Sequence, residues 1–178
     1  LWVDVMGAVC NLGYLPSLPE ARLLLPGKSQ AKQEALALLA AFEADPLVVH
    51  IRAGDILDGH NRHYIPTSAA LVHRAAQATG RHLLFIGQLE DSELTRHLRM
   101  EFSDASFLYT GSAAVDFEMI RQAKHALLST STFAWLAAWL SERNETILLP
   151  RKGLFNPEGA PEINLIDCSD ARFQFIIE

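Results

Sequence analysis

Short apolar segments alternate with helical segments along most of this chain, and this alternation limits its folds more than any other feature. The apolar segments cover residues 47–51, 82–86, 106–109, 125–128 and 146–149. Amphipathic spacing predicts helices at about 29–44, 68–79, 92–102, 114–124 and 131–143. Because the apolar segments are nearly unbroken, we expect strands that are buried on both faces. The pattern predicts a Rossmann-like α/β domain, a parallel sheet with helices on both faces.

The predicted domain covers residues 29–178, and residues 1–28 form an irregular N-terminal segment. Residues 1–5 have the composition of a short strand, whereas the stretch 11–19 contains one glycine and two prolines and is predicted as a loop. A last strand-like run lies at 173–177. A length of 178 residues fits one domain with a short appendage.

Charge and cysteine content exclude several classes of protein. The chain has 15 Lys and Arg against 21 Asp and Glu, a net charge of −6 that argues against a nucleic-acid binder. Its two cysteines fit neither a disulfide framework nor a zinc pattern. No apolar run reaches the roughly 18 residues of a membrane span, and no signal peptide is recognised. We expect a cytoplasmic protein, with peripheral membrane association left open.

The loops that follow the predicted strands share one chemical character. Ligands of such sheets bind outside the carboxyl ends of the strands. The loops at that edge contain small hydroxyl residues, glycines and a few cations. They can offer backbone N–H groups, hydroxyls and a guanidinium to an anion, so a phosphate or pyrophosphate is the expected ligand.

The loop after the first strand contains the clearest motif, HIRAGD at residues 50–55. Arg52 emerges where the strand ends, and its planar guanidinium can bind a diphosphate with two hydrogen bonds. Gly54 and Asp55 follow closely, and Asp55 can hold the guanidinium or bond the turn backbone. His50 lies on the same face as Arg52. The alternative is a surface Arg–Asp pair beside a core histidine.

A second cluster of polar residues lies where the fourth strand meets the next helix. Four hydroxyl residues stand in a row there: Ser129, Thr130, Ser131 and Thr132. The N-terminus of a helix has free N–H groups and a partial positive charge, which suit an anion. The alternative is ordinary capping by one of these hydroxyls.

Asp116 begins the helix before the fourth strand and is a candidate to accept hydrogen bonds from a nucleobase or ribose. The alternative is a favourable interaction with the helix dipole. His60 and His63 lack a third ligand at suitable spacing, so no metal site is expected. The segment that contains them, residues 60–64, is either a solvated loop or an active-site loop that touches substrate. The chain has no Gly-x-Gly-x-x-Gly, Walker or Gly-x-Ser-x-Gly motif, which disfavours dinucleotide, P-loop and serine-hydrolase chemistry.

Three segments together resemble the inverting fucosyltransferases, in particular the bacterial α-1,2 family. Residues 48–55, VVHIRAGD, resemble the family's His-x-Arg-(Arg)-Gly-Asp segment. Residues 129–140, STSTFAWLAAWL, resemble its late motif, and residues 116–125 resemble the stretch just before it. Order and spacing also agree, and the resemblance extends over about residues 11–152.

The resemblance implies the donor-binding half of a GT-B glycosyltransferase that inverts the anomeric carbon. The donor would be GDP-fucose, the acceptor a glycan, and neither metal nor cofactor would be needed. Arg52 would bind the diphosphate and stabilise the leaving GDP, with His50 and Asp55 shaping its loop. Ser131 and Thr132 would hold phosphate, and Asp116 would lie near guanine or ribose. The setting implied is polysaccharide biosynthesis in the cytoplasm.

Departures from the family pattern leave alternatives open. Ala53 stands where the family often has a second Arg, Thr130 where it has Asn, and Leu136 where it has Trp, so a related nucleotide sugar remains a candidate donor. A GT-B enzyme has two halves and this chain has room for one, so the resemblance implies either that residues 1–28 are a remnant of the acceptor half or that the chain is a fragment. Two further hypotheses are a non-catalytic nucleotide-sugar-binding module, and an interaction module that exposes Trp135 and Trp139.

Overall fold

The computed structural model describes residues 11–59, 63–156, 158, 163–167 and 169–177. The strand predicted at residues 1–5 lies outside these ranges. The side chain of Asp55, a predicted site residue, also lies outside the part that the structure describes.

Six parallel strands form one sheet in the described part of the chain. They are β1 (Leu47–Ile51), β2 (Leu83–Gly87), β3 (Ser106–Phe107), β4 (His125–Leu127), β5 (Thr146–Pro150) and β6 (Phe173–Ile176). Their order across the sheet is β3-β2-β1-β4-β5-β6, and every neighbouring pair is parallel. The predicted Rossmann-like sheet is confirmed, and its strand order reverses between β1 and β4.

Among the residues that the structure describes, six α-helices surround this sheet. They are α1 (Leu18–Leu24), α2 (Ser29–Leu39), α3 (Ala69–Thr79), α4 (Glu93–Glu101), α5 (Ala113–Gln122) and α6 (Thr132–Trp139). A serine precedes each of the last four helices, and its hydroxyl accepts a hydrogen bond from a backbone N–H of the first turn. These caps satisfy donors that the helix itself leaves free, so the helices begin within two residues of the predicted positions.

Three predicted features of the helices are wrong. Helix α2 ends at Leu39 rather than at about 44. Helix α1 lies partly in the stretch predicted as a loop, where the Glu20 carboxylate accepts hydrogen bonds from the backbone N–H and hydroxyl of Ser17 and forms a capping box. Helix α6 ends at Trp139 rather than 143. The Ser141 hydroxyl accepts hydrogen bonds from the backbone N–H groups of residues 143 and 144, which replace helical bonds.

Apolar side chains cover both faces of the sheet. Val48 packs with α5 and α6 on one face, whereas Val49 packs with α3 and α4 on the other. Each strand of the centre is therefore buried on both sides, as its unbroken apolar sequence predicts. No helix in the ranges that the structure describes has the length and apolar character needed to cross a membrane.

The two tryptophans of α6 belong to the core. Trp135 and Trp139 stack with ring centroids 5.4 Å apart and are only 4% and 7% exposed. The indole N–H of Trp135 donates to the backbone oxygen of Leu165 at 2.8 Å. The hypothesis of an interaction module that exposes these rings is therefore wrong.

Candidate functional site

A cleft of about 440 Å³ opens at the carboxyl ends of β1 and β2 and at the N-terminus of α6. It lies beside the point where the strand order reverses, which is the usual position of a ligand in an open α/β sheet. Ten residues line it: His50, Arg52, Tyr64, Gly87, Gln88, Ala113, Asp116, Ser131, Thr132 and Phe133.

Arg52 follows the last residue of β1, and its side chain lines the cleft. Its guanidinium carbon lies 4.2 Å from the centroid of the Tyr64 ring. The turn after it is held by Gln88, whose Oε1 accepts a hydrogen bond from the backbone N–H of Ala53 at 2.8 Å. Gly54 then begins a short 3-10 helix, Gly54–Ile56, with a φ of 57° that favours glycine. The backbone of Asp55 lies in this turn.

His50 joins the ends of β1 and β4. Its Nδ1 lies 2.7 Å from the Ser129 hydroxyl, and the side chain is buried. Burial, assisted by the positive charge of Arg52, lowers the pKa of His50 from 6.5 to about 4. The imidazole is therefore neutral near pH 7, and Arg52 supplies the positive charge at this end of β1.

Gly87 ends β2 directly beside this histidine. Its φ is 100°, and a Cβ there would lie 2.4 Å from the backbone oxygen of Ile51 and 3.3 Å from His50 Nε2. Because both the φ and the close approach exclude a side chain, only glycine lets β2 end against β1 in this way. The floor of the cleft depends on that contact.

The four hydroxyl residues before and in α6 have different positions. Ser131 and Thr132 line the cleft, and the Ser131 hydroxyl also accepts from the backbone N–H of Ala134. All four residues are buried, and Ser129 and Thr130 do not line the cleft. Ser129 contacts His50, as described above. Thr130 Oγ1 accepts from the backbone N–H of Ile65 at 2.7 Å and donates to its carbonyl oxygen at 2.9 Å.

Asp116 lies in the first turn of α5 and lines the same cleft as Arg52. The Thr110 hydroxyl donates to its Oδ1 at 2.7 Å. Burial raises the pKa of Asp116; the hydrogen bond from Thr110 offsets part of this rise, and the charge of Glu90 adds to it. A carboxylate with one oxygen already bonded presents a fixed direction to a ligand in the cleft.

The sequence predicts the remaining lining residues to different extents. Gly87 and Gln88 belong to the loop after the second predicted strand, one of the loops at the carboxyl edge where a ligand is expected. Tyr64 lies in the segment 60–64, for which an active-site loop was one of two interpretations, whereas Phe133 in an apolar helix carries no comparable signal. Within the ranges described, no group of three His, Cys, Asp or Glu side chains is arranged to hold a metal ion.

Comparison with known proteins identifies the family. The model of glycosyl transferase family 11 matches residues 31–158, which include β1 to β5 and all residues that line the cleft. The chain belongs to glycosyl transferase family 11. This membership confirms the resemblance to fucosyltransferases at the level of the family. Neither the curated proteins nor the solved structures contain a significant match to the chain.

Membership of glycosyl transferase family 11 gives the cleft a chemical context. Glycosyltransferases bind a nucleotide sugar and an acceptor glycan, and a nucleotide sugar carries a diphosphate and a nucleobase. Arg52 and the N-terminus of α6 suit the diphosphate, and Asp116 suits a base or ribose that donates hydrogen bonds.

Proposed function

We propose that this family 11 chain binds GDP-fucose and transfers fucose to a hydroxyl group of a glycan, with inversion at the anomeric carbon. One observation carries the proposal. A guanidinium, the N-terminus of a helix and a partly buried carboxylate line a single cleft at the carboxyl edge of the sheet. Two of these groups suit a diphosphate and the third suits a purine.

The diphosphate would bind between Arg52 and the N-terminus of α6. Arg52 can form two parallel hydrogen bonds with phosphate oxygens. The first turn of α6 adds backbone N–H groups and a partial positive charge. Ser131 and Thr132 contribute hydroxyls at the same place, whereas His50, Ser129 and Thr130 support the site through their own hydrogen bonds.

The guanine base would bind near Asp116. Guanine presents two adjacent donors, N1–H and the 2-amino group, which a carboxylate accepts together. The hydrogen bond from Thr110 fixes one oxygen of Asp116, so the carboxylate keeps its direction when the cleft is empty. Adenine lacks this pair of donors, and we propose that the site prefers guanine for this reason.

The transfer itself is a displacement at the anomeric carbon of fucose. The acceptor oxygen forms a bond to this carbon from the face opposite the diphosphate, and the bond to the β-phosphate oxygen breaks with its electron pair leaving on GDP. Arg52 stabilises the charge that develops on GDP, which makes a metal ion unnecessary. The acceptor proton passes to a carboxylate, for which Asp55 and Asp58 of the Arg52 loop are the candidates.

GDP release from GDP-fucose tests this proposal. We expect the purified chain to release GDP in the presence of a suitable glycan, to do so equally in EDTA, and to lose the activity in Arg52→Ala. Arg99→Ala, which changes a cation outside the cleft, is the matched control. Loss of activity in EDTA would contradict a metal-independent reaction. Binding without any release would favour the non-catalytic module instead.

Polysaccharide biosynthesis in the cytoplasm is the setting that we propose, on the strength of the resemblance to bacterial fucosyltransferases.

A further inference from the structure

Tyr64 lines the cleft, although it was not among the predicted site residues. The guanidinium carbon of Arg52 lies 4.2 Å from the centroid of its ring. This distance is well inside the roughly 6 Å at which a cation is attracted to the face of an aromatic ring. Both side chains are half-buried, so solvent screens the contact only in part.

The backbone on either side of Tyr64 is hydrogen-bonded to two other loops. The backbone N–H and carbonyl of Ile65 both bond the Thr130 hydroxyl, which follows β4. The carbonyl of His63 accepts a hydrogen bond from the backbone N–H of Leu154 at 2.7 Å. Gly153 permits this second contact, because a Cβ there would lie 2.5 Å from the His63 oxygen. The backbone that carries Tyr64 therefore has a fixed place at the edge of the sheet.

The backbone next to Arg52 is fixed independently by Gln88, which accepts the N–H of Ala53. Arginine has a long side chain with many rotamers, so its guanidinium loses rotamer freedom when it binds a ligand. A ring beneath the guanidinium reduces this loss, because it holds the guanidinium plane before the ligand arrives.

We propose that Tyr64 is a positioning residue that holds the Arg52 guanidinium ready for the donor diphosphate, an inference that rests on the proposed function. Thr130 contributes to the same positioning, because its buried hydroxyl fixes the backbone segment that carries Tyr64. This explains why a polar side chain next to the cleft directs both of its hydrogen bonds to the backbone of Ile65.

Titration with GDP and with guanosine tests the inference. Tyr64→Leu removes the ring, and we expect it to weaken GDP binding about 3- to 10-fold, the range of a partly exposed cation–π contact. Guanosine has no diphosphate, so its affinity should stay within about 2-fold of wild type. Tyr64→Phe keeps the ring and should bind GDP like wild type.

A double-mutant cycle separates positioning from general destabilisation. In Arg52→Ala, the addition of Tyr64→Leu should change GDP affinity by less than about 2-fold. The matched control is Phe107→Leu on strand β3, outside the cleft. It removes a ring whose centroid lies 4.5 Å from the guanidinium carbon of Arg99. It should lower the free energy of unfolding but leave the GDP affinity unchanged.

Fluorinated phenylalanines at position 64 provide a version of the test that preserves the fold. They hardly change the size of the ring but weaken its negative face, so GDP affinity should fall stepwise with each added fluorine. Equal affinity across this series, or equal effects of Tyr64→Leu on GDP and guanosine, would overturn the inference alone. A wild-type chain that does not bind GDP would overturn the proposed function and this inference with it.

Discussion

At the scale of single residues, the neutral state of His50 has a measurable consequence. The folded chain holds the pKa of His50 at about 4, whereas the unfolded chain restores it to about 6.5. Between pH 6.5 and pH 4 the His50 imidazole therefore binds a proton in the unfolded state but stays neutral in the folded state. The contribution of this group to stability is fully present above the higher value and is lost as the pH falls toward the lower one.

We predict that the free energy of unfolding falls by about 3 kcal/mol between pH 6.5 and pH 4 on account of His50 alone. His50→Asn removes the titrating ring, so its stability should depend less steeply on pH in this interval. Urea unfolding of the two proteins across the interval measures the difference. Parallel curves would show that burial does not hold the ring neutral.

The Asp116 carboxylate gives a prediction about donor choice. If it accepts two hydrogen bonds from guanine, Asp116→Asn should weaken GDP binding about 10-fold or more and leave the weaker binding of ADP nearly unchanged. Asp91→Asn, at an exposed position paired with Arg96, is the control and should bind GDP like wild type. Equal losses for GDP and ADP would instead assign Asp116 to the ribose.

Sequence patterns identify residues next to the end of a strand or the start of a helix more readily than residues that long-range packing brings into the site. Arg52 follows a strand and Asp116 starts a helix, so both were predicted, and both line the cleft. The four hydroxyls around residue 130 form one pattern, yet only Ser131 and Thr132 line the cleft. Tyr64 contacts Arg52 in a loop whose backbone is hydrogen-bonded to Thr130 and Leu154, and local sequence patterns do not predict such long-range contacts.

At the scale of secondary-structure elements, the ends of β2 and α3 provide a matched pair of glycines. A Cβ at Gly87 would collide with the backbone oxygen of Ile51, whereas a Cβ at Gly80 would meet nothing within 4 Å. Both glycines have positive φ, 100° and 63°. A side chain at either position is strained, but only the one at Gly87 also separates two strands.

We predict that Gly87→Ala lowers the free energy of unfolding by about 2–4 kcal/mol and weakens GDP binding. Gly80→Ala should cost about 1 kcal/mol and leave binding unchanged, because only the backbone strain applies. Urea unfolding gives both energies. Equal losses would mean that β2 can move away from β1 without harm.

The type of each central element could be predicted, but some of its ends could not. Strand β1 has the predicted bounds because its apolar run is preceded by Pro46 and followed by a polar loop that begins at Arg52. Helix α1 was missed because its capping box lies among prolines that suggest a loop. Helix α6 ends early because of side-chain bonds made by Ser141, which helical spacing does not reveal.

At the scale of the whole molecule, the site exists because β1 and β4 are neighbours in the sheet. Their pairing, Leu47 with His125 and Val49 with Leu127, brings the Arg52 loop to the hydroxyls that precede α6. Alternation of strands and helices predicts a parallel sheet and the edge at which ligands bind. It does not predict the order of the strands, because pairing depends on long-range packing.

The central claim is that Arg52 binds the diphosphate of a guanosine nucleotide. Calorimetric titration of GDP into the wild-type chain, Arg52→Ala and the control Arg99→Ala tests it most directly. We predict that wild type and Arg99→Ala bind GDP alike, and that Arg52→Ala binds it about 10- to 100-fold more weakly, since charge-assisted hydrogen bonds to phosphate are lost. Equal affinity in Arg52→Ala, or no binding by wild type at millimolar GDP, would contradict the claim.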